Sequence, residues 1–109
     1  MGAILAAWEQ LDSNRHGLTA AQIIAKAKEV GDSSPQYLHD LRDSIEAMLG
    51  KLDAKGLGYK LRGYRRRIFR GRYVDLIGIS QGTKRWAVFP ETEFRNRGNQ
   101  DHHDHHDHL

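Results

Sequence analysis

Cysteine is absent from the 109 residues, so disulfide bonds and thiolate chemistry are both excluded. Long apolar runs are absent too, and none approaches the ~20 residues that a membrane-spanning helix needs. Residues 3–8 are apolar, but no basic segment precedes them and Glu9 follows at once, which is unlike a secretory signal peptide. These absences lead us to expect a soluble, cytoplasmic protein.

Sequence motifs for catalysis are equally scarce. No Gly-x-x-x-x-Gly-Lys-Ser/Thr phosphate-binding loop is present. His16 and His39 have no evident partner for a catalytic triad. Asp40 and Asp43 could form a carboxylate pair on a helix, but no third ligand is suitably spaced, so a solvated polar face is the favoured interpretation. We therefore expect no enzymatic activity, no cofactor and no metal site.

Negative charge is scarce in one part of the chain. Residues 51–89 carry eleven basic and two acidic side chains, a net charge of +9, whereas residues 1–50 and 90–109 each carry −3. A mildly acidic scaffold therefore contains one concentrated cationic segment. Such a segment attracts a polyanion by long-range steering and by release of counterions.

Apolar residues at helical spacing predict three helices, over residues 3–12, 19–30 and 35–49. Thr19 and Gln22 form a capping box at the start of the second helix, where each side chain satisfies one free backbone N–H group. Leu18 precedes this cap. It either packs back onto the helix as a hydrophobic staple or pairs as a strand of one or two residues.

A fourth, basic helix is predicted over residues 53–65, with Asp53 as its cap. One face is apolar and is formed by Leu57, Leu61 and Tyr64. Another face combines cations with one aromatic: Lys55, Tyr59, Arg62 and Arg66. Such a face is typical of an element that meets phosphate, although a solvated basic face has the same composition.

Three glycines within the basic helix, Gly56, Gly58 and Gly63, lower its intrinsic stability by up to ~1 kcal/mol each relative to alanine. They indicate either close approach of the backbone to a partner or neighbouring helix, or a helix that is short and irregular. The sequence leaves both interpretations open.

A β-hairpin is predicted over residues 73–89, because two segments rich in β-branched and aromatic residues flank a short connection that contains Gly82. Lys84 and Arg85 lie next to its tip. Trp86 serves either as a base-stacking platform or, as we favour, as a core residue. The residues expected to be largely buried are Leu5, Trp8, Leu11, Ile23, Ile24, Leu38, Leu41, Ile45, Leu57, Leu61, Leu76 and Trp86.

Residues 91–109 are polar and aperiodic, which predicts a disordered tail. Residues 102–108 contain five histidines and two aspartates, all able to bind a transition metal. A structural site needs ligands that a fold holds in place, and none is expected here. We interpret this run as an adventitious chelating tail or as an artificial appendage for purification.

The order of elements predicts the fold class: α+β, a winged helix-turn-helix with an additional inserted helix and a C-terminal two-stranded wing. The inserted helix occupies residues 34–50, between the usual second and third helices. In this plan the helix before the wing enters the major groove of DNA, and the wing tip meets the backbone or the minor groove.

Residues 51–62, together with Arg67-Ile68 and Trp86-Ala87-Val88, resemble the winged-helix modules at the C-termini of phage and mobile-element primase-helicases. Those modules show Leu-Gly-x-x-Leu-Arg, a basic stretch, and a hairpin that closes on Trp-x-Val. The resemblance spans residues 3–90, although its specific part is the quoted motifs. It implies an accessory DNA-binding module of a replication protein. The sequence has no primase metal triad, so the catalytic part would lie elsewhere.

Two functions of different class follow from these observations. The first is DNA binding, with duplex or single strand undetermined, and the second is docking of the winged helix on an acidic protein partner. Steep salt dependence on DNA distinguishes the first from the second. The expected nucleic-acid contacts are Lys55, Tyr59, Lys60, Arg62, Arg65, Arg66, Arg67, Arg70, Arg72, Lys84 and Arg85.

Overall fold

The computed structural model describes residues 1–94 and shows a small α+β domain. Its elements are α1 (Gly2–Leu11), α2 (Ala20–Lys28), α3 (Gln36–Leu49), α4 (Ala54–Tyr64), β1 (Arg72–Ser80), β2 (Thr83–Pro90) and a 3₁₀ helix (Glu91–Glu93). The four helices and the hairpin predicted from the sequence are confirmed, with ends that differ by at most two residues. No helix within residues 1–94 is long and apolar enough to cross a membrane.

Side-chain caps fix where two of the helices begin. At α2, the Thr19 hydroxyl accepts from the Gln22 N–H at 3.1 Å and the Gln22 amide oxygen accepts from the Thr19 N–H at 2.9 Å, which confirms the predicted capping box. At α4, the Asp53 carboxylate accepts from the Gly56 N–H at 3.1 Å. These caps are local in sequence, so they could be read from the sequence.

The two strands form an antiparallel sheet with one irregularity. Leu76 pairs with Trp86 and Gly78 pairs with Arg85, so Ile77 is an extra residue on β1. An extra residue reverses the face on which all later side chains of that strand lie. Ile79, which pairs with Lys84, therefore lies on the same face as Leu76 and Trp86.

Leu18 pairs with Trp86 as an isolated bridge, with N–H to carbonyl distances of 2.9 Å in both directions. This decides between the two predicted roles of Leu18 in favour of the short strand. The bridge holds the segment before α2 against the middle of β2, so the start of α2 lies beside the hairpin.

The core lies between the helices and the inner face of the hairpin. Nine of the twelve residues predicted to be buried are buried, Trp86 among them with 3% of its surface exposed. Leu11, Leu38 and Leu76 are instead half-buried and pack against the edge of the core. Leu11 and Leu38 lie near helix ends and Leu76 beside the bulge, so fewer neighbours cover them.

The outer face of the hairpin carries a second, smaller apolar cluster of Tyr73, Ala87 and Phe89. Phe94 joins it, with its ring centroid 5.1 Å from that of Tyr73 in an edge-on arrangement. Residues 91–94 belong to the tail predicted to be disordered; here Glu91–Glu93 form a 3₁₀ helix and Phe94 gains apolar contact with Tyr73. Residues 95–109, with the histidine-rich run, lie outside the described residues.

Gly63 in α4 is expected to be replaceable with a gain in stability. Within the described chain nothing lies within 4 Å of a Cβ atom placed on Gly63, and its φ is not positive. We expect Gly63→Ala to raise the free energy of unfolding by up to about 1 kcal/mol in urea denaturation, because alanine loses less backbone entropy. Gly50→Ala is the opposite control: φ is +80° there, so stability should fall by about 1 kcal/mol.

Candidate nucleic-acid interface

An open groove of about 320 Å³ lies where α4, the start of α2 and the hairpin tip converge. We name it the α4–hairpin groove. It is lined by Ala20, Ala21, Ala54, Lys55, Gly58, Tyr59, Arg62, Thr83, Lys84 and Trp86. Three of these residues are cations and, within residues 1–94, none of the lining residues is acidic.

The helical repeat of α4 explains which of its residues reach the groove. Leu57 and Leu61 are fully buried and fix the orientation of the helix. Residues four apart lie on one face, so Ala54, Gly58 and Arg62 form one row along the side of the helix that faces α2 and the hairpin. Lys55 and Tyr59 form the next row outward. Small residues thus make the floor, and long polar residues make the rim.

Two glycines of α4, Gly56 and Gly58, have neighbouring atoms within 4 Å of the position that a Cβ atom would occupy. A Cβ atom placed on Gly58 would lie 3.8 Å from the Ala20 Cβ, an ordinary van der Waals contact, so alanine would also fit there. Gly56 lies beside its cap, since a Cβ there would be 2.9 Å from Asp53 Oδ2. The packing of α4 on α2 therefore does not require glycine, and close approach of the backbone to a partner stays a prediction; α4 is a helix of eleven residues.

Tyr59 is 71% exposed, the largest exposed fraction among the large apolar residues of the described chain. The Arg62 guanidinium lies 5.9 Å from the centroid of its ring, within the range of a cation–π contact. The ring therefore projects from the rim of the groove with a cation beside it. Within residues 1–94, Lys55, Arg62 and Lys84 form no ion pair, so their charge is available to a ligand.

Trp86 contributes to the groove mainly as support. Its side chain is 3% exposed and belongs to the core cluster, as the favoured prediction has it. Its backbone exchanges two hydrogen bonds with Leu18. It therefore locks the hairpin to the segment before α2 and holds Lys84, two residues away, at the groove.

Arg65 and Arg66 form ion pairs with a buried acid. Asp75 is fully buried in β1, and its carboxylate accepts from Arg65 Nε at 2.7 Å and from Arg66 Nη1 at 3.4 Å. The Leu76 N–H donates to the same carboxylate at 2.8 Å. Two arginines that the sequence assigns to nucleic acid thus neutralise a charge inside the fold. Sequence reasoning missed Asp75, although it is the one acid in a strongly apolar strand.

Arg66 also lies off the helix face to which the sequence assigns it. α4 ends at Tyr64, and Arg66 follows with φ of 64°, in the left-handed region. Its N–H donates to the Val74 carbonyl at 2.8 Å, and its guanidinium lies 4.9 Å from the centroid of the Phe94 ring. Arg66 therefore ties the end of α4 to β1 and to Phe94.

The other predicted cations are spread over the surface. Arg72 Nε pairs with Glu9 Oε1 at 2.9 Å, and the Arg85 guanidinium donates to the His16 carbonyl. Arg67 lies over the Tyr64 ring, 5.4 Å from its centroid. Seven of the eleven predicted residues do not line the groove: Lys60, Arg65, Arg66, Arg67, Arg70, Arg72 and Arg85. The predicted contacts that the structure does bring together there are Lys55, Tyr59, Arg62 and Lys84.

Comparison with protein-family models, curated proteins and solved structures finds no match to this chain. Within residues 1–94, no group of three or more histidine, cysteine or acidic side chains is arranged to hold a metal ion. The α4–hairpin groove, with its shape and its positive charge, is therefore the feature of the structure that indicates a function.

Proposed function

We propose that the chain is a DNA-binding module of the winged helix-turn-helix type, which presents the α4–hairpin groove to DNA. The observation that carries the proposal is the convergence of Lys55, Arg62 and Lys84, none of them ion-paired within residues 1–94, with exposed Tyr59 on one acid-free groove. Cations without an ion-pair partner release counterions from DNA when they bind phosphate.

The element order supports the winged-helix part of the proposal. α4 directly precedes the hairpin, the Leu18 bridge supplies a short third strand, and α2 packs beside α4. α3 is the additional helix and packs mainly on α1. In this plan α4 is the element that meets DNA and the hairpin is the wing. The resemblance of residues 51–62 to primase-helicase modules supports a place in a replication protein.

A salt titration of DNA binding by fluorescence anisotropy tests the proposal. We expect the logarithm of the association constant to fall linearly with the logarithm of the salt concentration, and Arg62→Ala to reduce that slope by about 1 because one phosphate contact is lost. Lys28→Ala is the matched control, since it removes one positive charge at the far end of α2, ~12 Å from the groove. Its slope should be unchanged.

Docking on an acidic protein is the alternative function, and the same titration addresses it. Polyglutamate serves as a competitor that carries negative charge without phosphate or bases. If polyglutamate displaced DNA at matched charge concentration, or if Arg62→Ala and Lys28→Ala had equal slopes, the DNA-binding proposal would be wrong. Circular dichroism of each variant verifies that it is folded.

A further inference from the structure

We infer that the α4–hairpin groove seats an unstacked nucleotide, so that the module binds single-stranded DNA in preference to duplex. This inference rests on the proposed DNA binding and deepens it. Four observations carry it: the size of the groove, the exposure of Tyr59, the direction of Ile79 and the placement of three cations. The sequence leaves the choice between single strand and duplex undetermined.

The groove has the size of a small-molecule site. Its volume of about 320 Å³ is at the lower end of cavities that hold small ligands, which start at roughly 300 Å³. A single base with its sugar is a ligand of that class. An intact duplex can touch the rim but cannot enter, because its bases are paired and stacked inside the helix. The small residues Ala20, Ala54 and Gly58 keep the floor open.

Tyr59 offers a flat surface that only an unstacked base can use. The ring is 71% exposed at the rim. Aromatic residues that bind single strands stack on successive bases, and this contact tolerates any sequence because every base has a π-face. In duplex DNA both faces of an internal base are already covered by its neighbours. An exposed tyrosine here therefore favours the single strand.

Ile79 adds a second exposed apolar side chain, next to Lys84 on the hairpin and outside the groove lining. The bulge at Ile77 places Ile79 on the face of Trp86 and Lys84, and Ile79 is 65% exposed. Apolar side chains of DNA-binding proteins contact bases rather than phosphates, and in some proteins they insert between base steps and partly unstack them. An isoleucine side chain cannot donate a hydrogen bond to phosphate, so its exposure here favours contact with bases.

The cations Lys55, Arg62 and Lys84 line the groove together with Tyr59 and suit the backbone of one strand. Charge alone would produce the opposite preference, because duplex DNA has the higher charge density and the steeper salt slope, about 0.9 against 0.7 per phosphate contact. A measured preference for single-stranded DNA would therefore indicate that Tyr59 and Ile79 contact bases.

The test compares a fluorescent 12-nucleotide strand with the same strand annealed to its complement, at equal salt. We expect the intact chain to bind the single strand more tightly. Tyr59→Ala should weaken single-strand binding about tenfold and leave duplex binding nearly unchanged, and Tyr59→Phe should retain single-strand binding because the ring remains.

Filling the groove provides an independent variant that leaves the ring and the charges in place. Ala21 is exposed and lines the groove, so Ala21→Leu should reduce single-strand affinity several-fold. Ala25→Leu, one helical turn further along α2 and also exposed, is the matched control and should bind as the unmodified chain does. Both variants retain a good helix former.

The outcomes separate the inference from the proposed function. The inference would be wrong if the chain bound duplex DNA as tightly as single-stranded DNA or more tightly. It would also be wrong if neither Tyr59→Ala nor Ala21→Leu weakened single-strand binding. In both cases salt-dependent DNA binding would still support the proposed function. If neither form of DNA bound with a salt dependence, the proposed function and the inference would both fall.

Discussion

Asp75→Ala is expected to lower the free energy of unfolding by about 2–3 kcal/mol. Removing one partner of a buried ion pair costs about 3–5 kcal/mol when the remaining charge stays buried. Here Arg65 and Arg66 are 43% and 22% exposed, so water can reach them and the cost is smaller. The loss would still be a large fraction of the 5–15 kcal/mol that is typical of a domain.

Urea denaturation measures this effect, and Asp43→Ala is the matched control. Asp43 is also a carboxylate beside an arginine, 3.6 Å from Arg42, but it is 67% exposed. Its loss should change stability by no more than about 0.5 kcal/mol. Equal effects of the two substitutions would contradict a structural role for Asp75. A double-mutant cycle with Arg65→Ala should show non-additive energies, because the two side chains are in direct contact.

The triple variant Lys55→Ala, Arg62→Ala, Lys84→Ala is expected to weaken DNA binding about a hundredfold at 0.1 M salt. Each phosphate contact contributes roughly 0.7 to 0.9 logarithmic units at that concentration, so three contacts contribute about two to three. The loss should be alike for all DNA sequences, because phosphate carries no sequence information. All three side chains are exposed, so circular dichroism and urea denaturation should be unchanged.

A control with the same net charge shows whether position or total charge matters. Lys26→Ala, Lys28→Ala, Arg42→Ala also removes three positive charges, but from α2 and α3 and away from the groove lining. We expect this control to bind DNA within a few-fold of the unmodified chain. A comparable loss in both triple variants would show that the overall field of the protein, rather than the groove, attracts DNA.

The elements of the fold could be predicted because their signals are local. The capping box of Thr19 with Gln22 and the cap at Asp53 act within one helical turn, and apolar periodicity reports which helix face is buried. Three glycines lower the intrinsic stability of the basic helix. It forms because Leu57 and Leu61 are buried, and burial of an apolar face outweighs propensity.

The sequence identifies the cationic segment that contains the candidate site. It does not identify which residues of that segment line the groove. Charge segregation pointed to residues 51–89, yet a charge count cannot tell a cation that faces solvent from one that neutralises a buried acid. Arg65 and Arg66 find Asp75 only after the chain has turned between α4 and β1. Arg72 pairs with Glu9, which lies 63 positions earlier in the chain.

By itself, the sequence determined the α+β composition, the order of four helices and a hairpin, and the location of the positive charge, because each follows from interactions between near neighbours. Only the tertiary structure decided that Lys55, Tyr59, Arg62 and Lys84 share one groove, that Phe94 packs on Tyr73, and that Ile79 lies on the same face of the hairpin as Lys84. The physical reason is that these outcomes depend on contacts between distant residues and on one extra residue in β1, which no local pattern encodes.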